Sequence, residues 1–303
     1  MTTSRCRPAL ATSNLRATST ADASAPNPRR LSRRWLLGVA LGALAGACEA
    51  RELGDRLRDT MIRPSQEAGR LHARPGRPES TPQPPGAGPE GAGLGGPNPG
   101  LHPLGLGGRR DGLLYVPAAF QPDRPRPLVI ALHGAGGDAR GGLAPLLPFA
   151  DPAGLLLLAP ESRERTWDLM AGGIGPDVAF IDEALTQTFA RHLVDPARIA
   201  MQGFSDGASY ALSLGLANGD LIGHVIAFSP GFSAPPERRG QPRVFVSHGT
   251  HDQVLPIAAT SRKIAGALNR SGYEVVYREF EGAHAVPPEI AHAAVEWFLA
   301  RPA

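Results

Sequence analysis

Short apolar runs alternate with longer amphipathic stretches along the C-terminal two thirds of the chain. Near-continuous apolar runs such as residues 155–159 are typical of strands in a parallel sheet that is covered on both faces, and the stretches between them predict helices. Strands are predicted near residues 111–116, 127–132, 155–159, 198–202, 223–228, 242–247 and 273–280. Helices are predicted near residues 138–150, 176–192, 206–217, 256–270 and 288–300.

This alternation of strands and helices predicts the α/β fold class, with a mostly parallel sheet and helices on both faces. We expect the first strand to run antiparallel to the others. The interval between the strand ending near residue 228 and the strand starting near residue 242 is short, so it leaves no room for a cap domain. A site at the carboxyl ends of these strands should therefore be shallow and open.

Glycine and proline dominate a long segment that precedes these elements. They make up more than half of residues 74–108, where β-branched and aromatic residues are almost absent. A segment of this composition buries too little apolar surface to offset its ordering entropy. We therefore expect a disordered tether, which we place at residues 48–108, followed by one folded domain at residues 109–303.

The N-terminal segment is typical of an exported bacterial protein. Arg33 and Arg34 stand directly before an apolar run, residues 35–47, which is too short to span a bilayer. The string Ser-Arg-Arg-x-x-Leu resembles a twin-arginine export signal. We therefore predict an export signal at residues 1–47 and a location in the periplasm or cell envelope.

Cys48, at the end of this segment, allows two main interpretations. Ala45 and Ala47 satisfy an Ala-x-Ala cleavage site, which would leave Cys48 as the first residue of a secreted protein. The same string is close to a bacterial lipobox, in which the cysteine is acylated, although Ala45 stands where a larger aliphatic residue is usual. A third interpretation is an N-terminal membrane anchor that is not cleaved.

The distribution of charge along the chain indicates which kind of partner the protein does not bind. The first 47 residues carry seven arginines and one aspartate, so the rest of the chain is acidic although the whole chain has a formal net charge of +3. The basic character belongs to the export signal, and we expect no nucleic-acid partner. The chain has two cysteines, Cys6 and Cys48, which excludes a disulfide framework within the folded domain.

The most informative motif is Gly203-Phe204-Ser205-Asp206-Gly207, which lies between a predicted strand and a predicted helix. A G-x-S-x-G sequence in this context is typical of a nucleophile elbow, whose tight turn presents the serine hydroxyl at the edge of the sheet. Glycines are needed because a Cβ on either side of the turn would clash with neighbouring backbone. An inert serine in a glycine-bracketed turn is the alternative interpretation.

Three further loops follow predicted strands at the same edge of the sheet. Asp252 follows the strand near 242–247, and His284 follows the strand near 273–280. Small residues follow His133 at the end of the strand near 127–132, so their backbone N–H groups can approach a developing oxyanion. Four such elements at consistent strand ends are hard to explain by chance.

These motifs resemble those of the α/β-hydrolase superfamily, and within it the small bacterial carboxylesterases and the phospholipase/carboxylesterase-like or polyhydroxybutyrate-depolymerase-like proteins. The resemblance covers residues 109–303 and implies a catalytic triad of Ser205, His284 and Asp252. It implies an oxyanion hole formed by the N–H groups of Ala135 and Asp206, with Gly136 as the alternative second donor. The carboxylate of Asp206 departs from the usual neutral residue and would oppose an oxyanion unless it points away.

Two other groups of residues have competing interpretations. Trp167, in a long loop, would either wall an acyl-binding pocket or pack the loop onto the sheet. His248, His251 and Asp252 form the string H-x-x-H-D, but no supporting cluster of ligands is visible elsewhere, so we expect no metal and no cofactor. We call residues 133–137 the oxyanion loop, and we expect His133 to hold this loop in place rather than to act as a base.

The sequence thus predicts a serine ester hydrolase that works through an acyl-enzyme on small or surface-exposed esters. The alternative is an acyltransferase that passes the acyl group to the alcohol of an envelope sugar or lipid. The expected partner is the ester substrate, and membrane contact would come only through a lipid at Cys48. We expect the folded domain to be monomeric.

Overall fold

A computed structural model of the 303-residue chain describes residues 69–76, 98–118, 121, 123–171 and 173–300. The export signal, Cys48 and much of the predicted tether lie outside these residues and stay predictions. Among the helices of the described part, none is long and apolar enough to cross a bilayer.

The core of the structure is one eight-stranded sheet. Its strands, in chain order, are β1 (Gly100–Pro103), β2 (Gly112–Val116), β3 (Arg126–Leu132), β4 (Leu156–Pro160), β5 (Val194–Phe204), β6 (His224–Phe228), β7 (Arg243–Gly249) and β8 (Val275–Phe280). Their order across the sheet is β1-β2-β4-β3-β5-β6-β7-β8. β1 and β2 pair antiparallel to their neighbours, whereas β4, β3 and β5 to β8 pair parallel. The expected antiparallel direction of the strand near 111–116 is confirmed.

Helices cover both faces of the sheet. They are α1 (Ala139–Leu143), α2 (Leu147–Ala153), α3 (Pro176–Arg191), α4 (Asp206–Ala217), α5 (Ser261–Arg270) and α6 (Pro288–Leu299), with a 3₁₀ turn at Asp168–Ala171. Alternate residues of β3 point to opposite faces: Ile130 belongs to the hydrophobic cluster that includes residues of α3, α4 and α5, whereas Val129 belongs to the cluster that includes residues of α1, α2 and α6. The predicted α/β fold class is therefore confirmed.

Two predicted elements differ from those in the structure. The helix expected at 138–150 is divided into α1 and α2, and Pro148 occupies the first turn of α2, where a missing N–H costs nothing. The helix expected from residue 256 begins at Ser261. Residues 229–242, all of them described, contain neither helix nor strand, so no cap domain is inserted between β6 and β7.

Two segments that were assigned to the tether belong to the folded domain. β1 pairs with β2 at the edge of the sheet, although its composition is rich in glycine and proline. Residues 69–76 pack against α3 and the end of α4, and Leu71 is fully buried. The structure therefore moves residues 69–76 and 98–108 from the expected tether into the domain, because tertiary contacts order them where composition alone does not.

Asn218 holds the first of these segments. Its side chain is fully buried, and its Oδ1 accepts the N–H of Leu71 at 2.8 Å while its Nδ2 donates to the carbonyl of Gly69 at 2.7 Å. Nearby, Arg70 forms an ion pair with Asp220 at 2.8 Å. The Arg70 hydrogen bond lowers the pKa of Asp220 to about 2. One buried amide thus fixes the backbone of the segment on both sides of Arg70.

Asn218→Ala should lower the free energy of unfolding by about 3 kcal/mol, because it leaves the buried N–H of Leu71 without an acceptor and removes the bond to Gly69. Urea unfolding measures the loss, and amide hydrogen exchange should show faster exchange in residues 69–76. Asn269→Ala, on the exposed side of α5, is the matched control and should change little. Unaltered exchange at Leu71 in the Asn218 variant would contradict the assignment.

Candidate active site

The nucleophile elbow is formed by a single residue between β5 and α4. Ser205 has φ 57° and ψ −121°, a left-handed conformation that costs a non-glycine residue about 1–3 kcal/mol. A Cβ on Gly203 would lie 2.1 Å from the carbonyl oxygen of Gly207, and one on Gly207 would lie 2.5 Å from that of His133. Only glycine fits at these two positions, as predicted, and the turn presents the Ser205 hydroxyl beyond the end of β5.

Ser205, His284 and Asp252 form a continuous hydrogen-bonded chain. The Nε2 atom of His284 lies 2.9 Å from Ser205 Oγ, and its Nδ1 atom lies 2.6 Å from Asp252 Oδ2. Because a carboxylate only accepts, Nδ1 carries the proton and Nε2 offers its lone pair to the serine hydroxyl. The structure thus brings the three predicted triad residues together from the loops that follow β5, β7 and β8.

Asp252 is held as a carboxylate by the groups around it. Its side chain is buried, and burial alone would raise its pKa, but hydrogen bonds from the N–H of Leu255, from His284 and from the N–H of Val254 outweigh burial and lower the pKa. Both N–H groups donate to Oδ1 at 2.8 Å, which leaves Oδ2 for His284. A charged partner at this position stabilises an imidazolium on His284.

A second histidine, His248, contacts the same carboxylate. Its Nε2 atom lies 3.0 Å from Asp252 Oδ2 and 2.8 Å from the carbonyl of Leu255, and its Nδ1 atom lies 2.7 Å from Ser261 Oγ. Burial, the largest cause, lowers the pKa of His248. The neutral ring therefore carries its proton on Nε2, which faces two acceptors, while Nδ1 accepts from the serine hydroxyl.

The sequence pattern does not predict this contact of His248, which within the string H-x-x-H-D is only a candidate metal ligand. The available signal was its spacing of four residues before Asp252, just past the end of a buried strand. His251 from the same string is exposed, and its N–H donates to the carbonyl of Gly282. Within the described residues, no three His, Cys, Asp or Glu side chains form a group that could hold a metal ion.

The oxyanion hole has fewer available donors than the sequence suggested. The N–H of Gly136 already donates to the carbonyl of Arg165 at 2.6 Å, so Gly136, the alternative second donor, is not free to act. The N–H of Asp206 lies in the first turn of α4, where backbone donors have no acceptor within the helix. Ala135 and Asp206 therefore remain the two candidate donors.

The side chain of Asp206 is directed to the loop before the 3₁₀ turn. Its Oδ2 atom accepts a hydrogen bond from Thr166 Oγ1 at 2.8 Å.

His133 holds the oxyanion loop as expected: its Nδ1 lies 2.8 Å from the carbonyl of Gly134, and its Nε2 accepts the N–H of Ser162 at 3.0 Å. The hydrogen bonds of Asp206 and His133 are directed to other residues, so neither side chain is placed to act as a base toward Ser205.

Trp167 does not wall a pocket. It is fully buried, its ring stacks on Tyr210 at 5.0 Å between centroids, and its Nε1 donates to the carbonyl of His133 at 2.9 Å. The expectation of a substrate-binding role is corrected, because the indole N–H finds its partner inside the protein. The exposed large apolar residues of the described part are instead Phe232 and Val254, on the loops after β6 and β7.

Parts of the chain are similar to known proteins. Residues 177–300 match the model of the phospholipase/carboxylesterase family. Feruloyl esterase C of Emericella nidulans is 28% identical over 156 residues, covering 49% of this chain and 57% of that protein. Feruloyl esterase B of Thermothelomyces thermophilus is 31% identical over 103 residues, covering 31% of this chain and 35% of that protein. The chain thus spans little more than half the length of the first of these curated relatives.

Solved structures show the same fold. Esterase PE8 has a TM-score of 0.52 and 23% identity, with 61% of this chain and 96% of that chain covered. Thermogutta terrifontis esterase 2 phosphorylated by paraoxon has a TM-score of 0.52 and 18% identity, with 67% and 92% covered. With its elbow, its sheet and these matches, the chain has the α/β-hydrolase fold, and its C-terminal part is similar to the phospholipase/carboxylesterase family.

Proposed function

We propose that this protein is a serine ester hydrolase that works through an acyl-enzyme. The observation that supports it is the hydrogen-bonded chain from Ser205 through His284 to Asp252, with heavy-atom distances of 2.9 and 2.6 Å. An unactivated hydroxyl is a weak nucleophile, and such a chain supplies the base and the group that orients it. The three side chains leave the ends of parallel strands, where open α/β sheets carry their sites.

Each proposed step assigns a group to a task. Ser205 Oγ attacks the ester carbonyl while His284 Nε2 takes its proton, and the N–H groups of Ala135 and Asp206 stabilise the oxyanion. His284 then returns the proton to the departing alcohol, which leaves the acyl group on Ser205. Water, activated by the same nitrogen, releases the acid, while Asp252 remains a carboxylate throughout.

The nature of the substrate belongs to the same proposal. Phe232 and Val254 are 37% and 65% exposed on the loops that follow β6 and β7. We expect them to contact an apolar acyl or alcohol group of the substrate. The curated relatives are feruloyl esterases, so an ester of an aromatic acid, methyl ferulate, is a suitable first substrate beside short-chain p-nitrophenyl esters.

Acyl transfer is the second candidate, and the absence of a cap between β6 and β7 favours it. An open site would admit an alcohol as readily as water to the acyl-enzyme. Product analysis with a sugar acceptor present separates the two functions, since an ester of the sugar in excess of free acid would replace hydrolysis by transfer as the proposed function.

Ser205→Ala should lower kcat for a p-nitrophenyl ester by about 10⁶-fold, because the triad acts as a unit. An organophosphonate should label wild type on the peptide that contains Ser205, as located by mass spectrometry, and should not label the variant. Ser271→Ala, at the exposed end of α5, is the control and should be labelled like wild type. Label on another residue, or turnover that survives in the Ser205 variant, would contradict the proposal.

His248→Leu should lower kcat by about 10-fold, with little change in KM, because it removes the imidazole N–H that lies 3.0 Å from the charged Asp252, a contact worth roughly 1.5 kcal/mol. His248→Gln should lose less, since an amide N–H can replace the donor. His292→Leu, on the exposed face of α6, is the matched control. Equal losses in the Leu and Gln variants would assign His248 to packing alone.

We also propose export and lipid attachment at Cys48, supported by the arginine pair and the lipobox-like string of the sequence. Cys48→Ser should move active enzyme from the membrane fraction to the soluble fraction, with unchanged turnover of a soluble ester, whereas Cys6→Ser should not. Fractionation followed by mass spectrometry of the mature N-terminus measures both effects. Soluble wild type that begins with unmodified Cys48 would favour simple secretion.

A further inference from the structure

Arg165, Thr166 and Trp167 each form a hydrogen bond to the oxyanion loop or to Asp206. The three bonds run from Gly136 N–H to the carbonyl of Arg165 at 2.6 Å, from Thr166 Oγ1 to Asp206 Oδ2 at 2.8 Å, and from Trp167 Nε1 to the carbonyl of His133 at 2.9 Å. The first and third bonds hold the loop that carries Ala135. The second holds the side chain of the residue that supplies the other donor.

One buried carboxylate fixes this tripeptide from both sides. Asp177 Oδ1 accepts the N–H of Arg163 at 2.6 Å, and its Oδ2 accepts the N–H of Asp168 at 2.6 Å. Asp177 lies in the first turn of α3 and is almost fully buried. Residues 163–168 are therefore held at both ends, and Thr166 has a defined position relative to α4.

Asp206 carries two groups with opposite effects on an oxyanion: an N–H that would stabilise it and a carboxylate that would repel it. Its N–H, at the start of α4, is one of the two candidate donors to the oxyanion, but its carboxylate is a negative charge on the same residue. Two negative charges a few ångströms apart in a partly buried site repel strongly, and the repulsion grows as the oxyanion develops in the transition state. In the described part of the chain, Thr166 is the side chain that accommodates this carboxylate.

We propose that Thr166 is a positioning residue for the oxyanion hole: its hydroxyl holds the Asp206 carboxylate away from the developing oxyanion, so that the N–H of Asp206 can stabilise it. This inference rests on the proposed ester hydrolysis. It explains how a carboxylate is tolerated directly after the nucleophile. It also assigns a function to the hydroxyl of Thr166 in the long loop before α3.

The test is a double-mutant cycle between Thr166 and Asp206, measured as kcat and KM for a soluble p-nitrophenyl ester. Thr166→Val should lower kcat by about 10- to 100-fold and change KM by less than about twofold, because the repulsion acts in the transition state. Thr166→Ser keeps the hydroxyl and should retain most of the activity. Thr186→Val, on the exposed side of α3, is the matched control for the substitution itself.

The second half of the cycle separates electrostatics from loop structure. In an Asp206→Asn background no carboxylate is present, so adding Thr166→Val should change kcat by less than about twofold. If Thr166→Val costs as much in that background as in wild type, the residue acts through packing or substrate contact, and the proposal is overturned. An active wild type with an equally active Thr166→Val variant overturns it as well. A wild type that turns over no ester overturns the proposed function, and this inference with it.

Discussion

The hydrogen-bond ladder that joins the parallel strands β5, β6, β7 and β8 positions every residue of the triad. Because the strands run in one direction, the loops after β5, β7 and β8 meet at one edge of the sheet. Two bonds beyond the ladder draw the β7 and β8 loops together, from Thr250 N–H to Phe280 and from His251 N–H to Gly282, both at 2.9 Å. Ser205 N–H donates to the carbonyl of Phe228 at the end of β6, which ties the elbow to the same edge.

Burying Asp252 is the main electrostatic cost of this arrangement. An isolated carboxylate in a dry site would take up a proton, and a neutral acid could not stabilise an imidazolium. The protein offsets the cost with three hydrogen-bond donors, two from backbone and one from His284, and with the Nε2 atom of His248 at 3.0 Å. His248 therefore acts through Asp252: two residues, Asp252 and His284, separate it from Ser205 in the chain of contacts.

The parts of the site that could be predicted are those encoded in local sequence. Gly203 and Gly207 flank the serine because nearby backbone excludes a Cβ, and strand ends place Asp252 and His284 at one edge. What could not be predicted depends on contacts between distant segments. Whether Gly136 is free depends on a carbonyl far along the chain, and the position of Trp167 depends on a carbonyl at the end of β3. A pattern of hydrophobicity carries no information about such pairings.

The same reason explains why the start of the domain could not be found from composition. Residues 69–76 are ordered by Asn218, Asp182 and Asp220, none of which is near them in sequence. A shortened protein that began at residue 109 would look reasonable from the glycine and proline content. It would nevertheless lack an edge strand, expose the surface that Leu71 covers and leave the amide of Asn218 without its two partners at Gly69 and Leu71. Recombinant forms for crystallography or assay should therefore keep the chain from before Gly69.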